Sequence, residues 1–247
     1  QWFRENELTE EALSHAMAAG DYETAATIIE ENIVSLLSQS TMPRLLRWIR
    51  ALPEDIVQAR PWIAVYLANT LAFAGQVTEI ERILAAVDGL ATDDPEFRGL
   101  FGFAAAIRAF TANLEGNSDR AFEMAAHSEE FLGDDHLNAR AMASYAAADT
   151  HFALDDMTQA EEKYREMLHL GENSGQLLMT VTALCELASV KKVQGRLHAA
   201  QDLYSEAWDQ LVEFNGLGTR LRCHFEFGMA DLLYEWNRLD EAYEHAM

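Results

Sequence analysis

The stretch GRLHAAQDLYSEAWDQL, from Gly195 to Leu211, sets leucine, alanine and tyrosine two, five and nine positions after a glycine, a spacing that falls on one face of a helix. The same arrangement returns along the chain. A turn-forming residue stands at Gly20, Gly75, Gly116, Asp155, Gly195 and Asn237, and the last five of these are separated by 41, 39, 40 and 42 residues. Five places after each marker come Ala25, Ile80, Ala121, Ala160, Ala200 and Ala242; seven places before come Leu13, Ala68, Ala109, Ala148, Ala188 and Ala230. Two antiparallel helices approach closely only where the seam between them is small, so these alanines mark helix hairpins. Gly, Asn and Asp at the marker tolerate the left-handed conformation that ends a first helix. The residue two later, Tyr22, Val77, Met157, Leu197 or Leu239, plugs the turn, and Ser118 breaks that rule.

The pattern predicts six helix pairs: 8–19 with 21–38, 61–74 with 76–88, 96–115 with 117–132, 136–154 with 156–170, 174–194 with 196–214, and 218–236 with 238 onward. The first gap, from Gly20 to Gly75, is 55 residues, and its surplus is TMPRLLRWIRALPED. With Pro43 at a helix start, Leu45, Leu46, Ile49 and Leu52 on one stripe and Pro53 as a stop, that surplus reads as one extra helix. Residues 1–60 therefore form an atypical first repeat and 61–247 regular ones, in one all-α superhelical domain of stacked hairpins, an α-solenoid with a repeat of about 40 residues. The chain opens without methionine and stops in the middle of an amphipathic helix, which reads as a fragment of something longer.

Composition narrows the function classes. The 41 acidic residues against 18 basic ones give a formal charge of −23, which argues against direct contact with nucleic acid or with anionic membranes. The most apolar run, WIAVYLANTLAFAG from Trp62 to Gly75, is 14 residues and carries Asn69 and Thr70, too short and polar for a membrane span. Cys185 and Cys223 both sit in apolar helical stretches and read as buried small hydrophobes in a reducing, cytoplasmic compartment. No spaced His, Cys or Asp set suggests a metal, and no nucleophile–base pairing suggests catalysis, so an enzyme is not expected.

The marker-and-alanine pattern resembles the tetratricopeptide repeat, stretched from its usual length. The wording of the first 90 residues narrows the resemblance: the aromatic-rich opening WFREN, the HAMAAGD turn from His15 to Asp21, and the passage LRWIRALPED to RPWIAV. These are similar to the helical-repeat region of MalT-like, ATP-dependent LuxR-family transcriptional activators. The resemblance implies a sensor that takes a small-molecule inducer or a regulator protein and relieves autoinhibition, with possible self-association of the whole protein. It places the nucleotide-binding module before the repeats and the helix-turn-helix domain after them. The chain has neither a G-x-x-x-x-G-K-[ST] loop nor a basic recognition helix, so ATP is expected only in a separate N-terminal module.

In tetratricopeptide geometry the first helix of each pair lines the concave face, with positions 13, 10, 6 and 3 before each marker turned to the hollow. Six before stand Ser14, Asn69, Phe110, Asp149, Ser189 and Asp231; three before stand Met17, Ala72, Asn113, Phe152, Lys192 and Tyr234. Short polar residues in mid-helix cost up to ~0.7 kcal/mol each relative to alanine, so a hydrogen-bonding groove would be a reason to keep them. Aromatics share the stripe: Trp62 and Phe103 thirteen before, Tyr145 and Phe227 ten before. Rings alternating with short amides and carboxylates suit a sugar-like, nucleoside-like or peptide ligand. The expected effector-binding set is Asn69, Phe110, Asn113, Tyr145, Asp149, Phe152, Ser189, Asp231 and Tyr234, centred on Asn69, Asn113, Tyr145 and Asp149, with His151 and His224 as further candidates to line the groove. The alternative is a tetratricopeptide-type protein-interaction scaffold with no small-molecule ligand.

Overall fold

The computed structural model describes residues 9–38, 42–90, 97–134, 136–213 and 219–247. Among them every regular element is helical. The order is α1 (Thr9–Ala19), α2 (Tyr22–Ser38), α3 (Met42–Arg50), α4 (Glu54–Gln58), α5 (Pro61–Phe73), a 3-10 turn (Val77–Glu79) running into α6 (Ile80–Asp88), α7 (Arg98–Leu114), α8 (Ser118–Phe131), α9 (Leu137–Ala153), α10 (Met157–Ser174), α11 (Leu177–Val193), α12 (Leu197–Glu213), α13 (Thr219–Glu235) and α14 (Leu239–Ala246). The aromatic-rich opening lies outside the described residues.

One turn closes all six hairpins. Each marker residue has positive φ, from 56° at Asn237 to 73° at Gly116 and Gly195. Its N–H donates to the carbonyl three residues back, and the next N–H to the carbonyl five behind it: Gly75 to Ala72 and Gln76 to Leu71, Asp155 to Phe152 and Asp156 to His151. These bonds satisfy carbonyls that the helix end would otherwise leave without partners. The following helix is then capped where the sequence permits. Asp21, Asn117 and Asp156 each accept from a backbone N–H three residues on, at Thr24, Arg120 and Gln159.

The seam positions behave as their size requires. Ala25, Ala121, Ala160 and Ala200 after the marker, and Ala68, Ala109, Ala148 and Ala188 before it, are all fully buried. From α5 onward the first helices of successive pairs lie side by side, closely between α7 and α9 and sparsely between α9 and α11, and each second helix wedges between its own partner and the next first helix. The apolar core accordingly runs on as overlapping clusters, Tyr145 joining those of pairs one to five and Leu203 those of the last three.

Two details depart from the sequence pattern. The surplus in the first gap holds two helices instead of one: Pro53 does not end the segment but stands at the N-cap of α4, because its fixed φ of −57° suits a helix entry. In addition, α10 runs on to Ser174, where Gly175 at φ 64° repeats the same left-handed ending away from any marker. Gly171 in that extension lets α11 approach closely, since a Cβ there would lie 2.9 Å from the Thr180 amide. A longer α10 thus fills much of the angle between α9 and α11, and those two first helices touch sparsely, whereas α7 and α9 lie closely side by side.

Candidate functional site

The face carried by the first helices is where polar side chains and rings alternate, and the structure sorts those residues into three groups. Asn69 and Phe110 are buried, each with 6% of its surface exposed. Asn113 is committed to holding two first helices together: its Nδ2 donates to the Ala146 carbonyl at 2.6 Å, and its Oδ1 lies 2.8 Å from the Thr150 hydroxyl. Its amide therefore works within the scaffold of α7 and α9. Asp231 and Tyr234 on α13 are exposed, with Asp231 ion-paired to Lys192 of the preceding first helix.

Tyr145, Asp149 and Phe152 on α9, and Ser189 on α11, are half-buried in the middle of the array. A ladder of rings leads to them. Phe73 on α5, Phe110 on α7, Tyr145 on α9 and Tyr164 on α10 follow one another with centroid separations of 5.4, 5.6 and 6.2 Å. These tilted contacts are the geometry that aromatic quadrupoles favour. The other rings of the stripe pack elsewhere: Phe103 is buried edge-on against Tyr66 at 5.3 Å, Trp62 contacts Tyr66 and His136, and Phe227 is exposed.

Two carboxylates meet at the end of the ladder. Asp149 is half-buried, and among the described residues none is hydrogen-bonded or ion-paired to it. Burial raises its pKa above the ordinary carboxylate value. Glu186 on α11, with a side chain only 17% exposed, has its pKa pushed up to about 7, first by burial and then by repulsion from Asp149. His224 of α13 reaches in with Nε2 3.4 Å from Glu186 Oε1. His151, by contrast, packs edge-on against Phe122 of α8 at 4.8 Å, on the seam between the third and fourth hairpins. Tyr164 is wholly buried, its hydroxyl has no hydrogen-bond partner, and desolvation together with the charges of Glu186 and Asp149 raises its pKa.

Glu186 was absent from the positions expected from sequence. It lies nine places before its marker, one residue from the stripe at ten, and the signal that could have found it was an acidic side chain inside the apolar run VTALCELASV. Cys185 beside it is buried, and its thiol is pushed up to about 12 by burial and by Glu186. Cys223 corrects the expectation of two buried cysteines: it is exposed on α13.

Several basic residues are engaged at the seams between helices. Arg108 holds Asp88 at 2.8 Å and Glu81 at 3.1 Å, Lys163 holds Glu129 at 2.9 Å, and Lys191 pairs with Glu161. Among the described residues no helix is long and apolar enough to cross a membrane, and no group of three or more His, Cys, Asp or Glu side chains is placed to hold a metal ion. An open depression lined by Leu46, Arg47, Arg50 and Ala51 lies at the C-terminal end of α3, apart from the first-helix residues described above.

Comparison with known proteins places this arrangement. The HTH-type transcriptional regulators MalT of Yersinia pestis (strain Pestoides F) and of Yersinia enterocolitica serotype O:8 / biotype 1B are 25% and 26% identical to it over 244 residues. The alignments cover 96% of this chain and 26% of each relative, so the chain spans about a quarter of their length. The crystal structure of BtubC (BKLC) from P. vanneervenii shares the fold at a TM-score of 0.58 and 14% identity, over 84% of this chain and 86% of that one. Residues 102–247 match the model of the MalT-like TPR region, and the chain belongs to that family.

Proposed function

We propose that this chain is the effector-sensing repeat region of a MalT-like transcriptional regulator, working in the cytoplasm and taking a small inducer or a regulator protein on the face formed by its first helices. The observation that carries the reading is the middle of that face: Asp149 without a partner, Glu186 beside it, and a ladder of rings running up to both. Burying polar groups without partners is costly, and a scaffold has no reason to keep such a cost at the centre of its open face. A ligand would supply one. The names of the relatives support the regulatory context. Nucleotide binding and DNA binding then belong to other modules of the longer protein, and the acidic surface of this chain suits a module that does not itself touch DNA.

A thermal-shift screen with a metabolite panel tests the reading, because a ligand at 100 times its dissociation constant adds ~2.7 kcal/mol of stability. A compound that shifts the wild type should lose its effect in Tyr145→Ala and Asp149→Ala, both still helical by circular dichroism. A panel that moves nothing, with one protein partner captured and its binding indifferent to both substitutions, would replace this reading with that of an interaction scaffold.

A further inference from the structure

Tyr164 and Tyr204 occupy the same place in consecutive repeats, nine residues after the markers Asp155 and Gly195. The later repeat shows what that place requires. The Tyr204 hydroxyl lies 3.4 Å from Ser189 of its own hairpin, and the next first helix makes room for it with Gly228, where a Cβ would come within 2.3 Å of the phenol oxygen. Ser189 stands six before its marker and Gly228 nine before its own. One repeat earlier those two positions are Asp149 and Glu186. Where the later repeat has a small hydroxyl and a bare backbone, this one has two carboxylates converging on a buried phenol that has no hydrogen-bond partner.

The cations nearby in sequence are committed elsewhere. Lys163 serves Glu129 and Glu166, Lys191 serves Glu161, and Lys192 serves Asp231. His224 pairs with Glu186 at 3.4 Å from a side chain that is 41% exposed. By equivalence with the surroundings of Tyr204, Asp149 and Glu186 stand on the sides of the Tyr164 hydroxyl, the charges of both raise its pKa, and the Tyr145 ring lies beside that of Tyr164. A primary ammonium group has three N–H donors and a compact positive charge, and it is attracted to aromatic faces. At this joint the two first helices α9 and α11 meet mainly through α10, the helix that carries Tyr164.

We propose that the joint between the fourth and fifth hairpins binds a primary ammonium group, held by Asp149, Glu186 and the Tyr164 oxygen against the ring of Tyr145. This rests on the reading of the first-helix face as the effector site, and assigns that effector a chemical class: an amine or polyamine. Because Glu186 must be ionised to hold the cation, binding strengthens as pH rises through about 7 and releases a proton below that value. The groups facing Glu186 across this range are Asp149 on α9, Tyr164 on α10, Cys185 on its own helix, Tyr204 on α12 and His224 on α13.

Putrescine and n-propylammonium are the probes, titrated calorimetrically into the chain at physiological salt and at pH 6 and 8, with tetramethylammonium as a cation lacking N–H donors. We expect saturable binding of both amines, at least tenfold weaker at pH 6, and at least tenfold weaker for tetramethylammonium. Glu186→Gln and Asp149→Asn should each weaken binding at least tenfold and Tyr164→Phe severalfold, all three folded by circular dichroism. Absence of saturable heat up to 10 mM amine, or equal affinity in the wild type and Glu186→Gln, overturns the proposal; the second result would be diffuse attraction to an acidic surface. A neutral effector that binds the wild type, fails with Tyr145→Ala and is indifferent to Glu186→Gln also overturns it while leaving the first-helix face as the effector site.

Discussion

Glu186→Gln is expected to make this protein more stable, and by an amount that depends on pH. The carboxyl of Glu186 titrates near 7 in the folded chain, against an ordinary value of 4.5. A raised folded-state pKa on an acid means that the folded chain retains a proton which the unfolded chain has released. Below about pH 4.5 both states are protonated and Glu186 contributes nothing; between 4.5 and 7 stability falls as pH rises; above 7 the full penalty is present. A shift of this size, at 1.36 kcal/mol per unit, corresponds to about 3 kcal/mol. Glutamine keeps the shape and removes the charge, so the difference between variant and wild type should be near zero at pH 4 and approach about 3 kcal/mol by pH 8.5. Urea melts at intervals across that range give the difference directly. Repeat arrays can unfold in sections, so hydrogen exchange of the α11 amides supplies a local reading at each pH. A difference that stays flat with pH, or a variant less stable than wild type at pH 8.5, would refute the reasoning: the charge would then be satisfied inside the fold, through His224 or otherwise.

Ala160→Leu and Ala200→Leu should each destabilise by ~1–3 kcal/mol by overpacking a seam whose positions are fully buried, measured as a lower urea midpoint. Asn113→Ala removes the bridge from α7 to the Ala146 carbonyl of α9 and should cost about 1–3 kcal/mol, read as a fall in melting temperature whether or not a ligand is present. Asp155→Gly should stabilise by up to about 1 kcal/mol, since φ at Asp155 is 63° and glycine meets no Cβ penalty there; thermal melts decide the sign.

How much of this was legible in the sequence differs between turn and groove. The hairpins were, because a left-handed turn and a close seam each admit few residue types, and Gly116, Asp155 and Ala160 announce them directly. The second helix in the first gap was not: Pro53 is compatible both with ending a helix and with entering one, and only the packing of α4 against α5 shows which. The polar positions of the first-helix face were harder to read. Asn113 has the spacing of an exposed polar residue, yet it bonds across to the neighbouring helix, and one-dimensional spacing cannot tell water from a carbonyl on the next repeat. Glu186 escaped notice because a helical face is broader than a single stripe, and a residue one position off the stripe still turns toward a neighbouring repeat. Its burial depends on how α10 and α11 pack together, which no local pattern encodes.

The sparse touch between α9 and α11 has a mechanical consequence. Each hairpin leans only on its neighbours, so a small change of tilt at one joint is carried by everything beyond it, as a hinge near the middle of a folding rule swings the far end through a wide arc. An occupant seated between α9 and α11 would press on the joint that carries helices α11 to α14 and swing them as a block relative to α1 to α10, turning a contact a few ångströms across into a large displacement at either extremity.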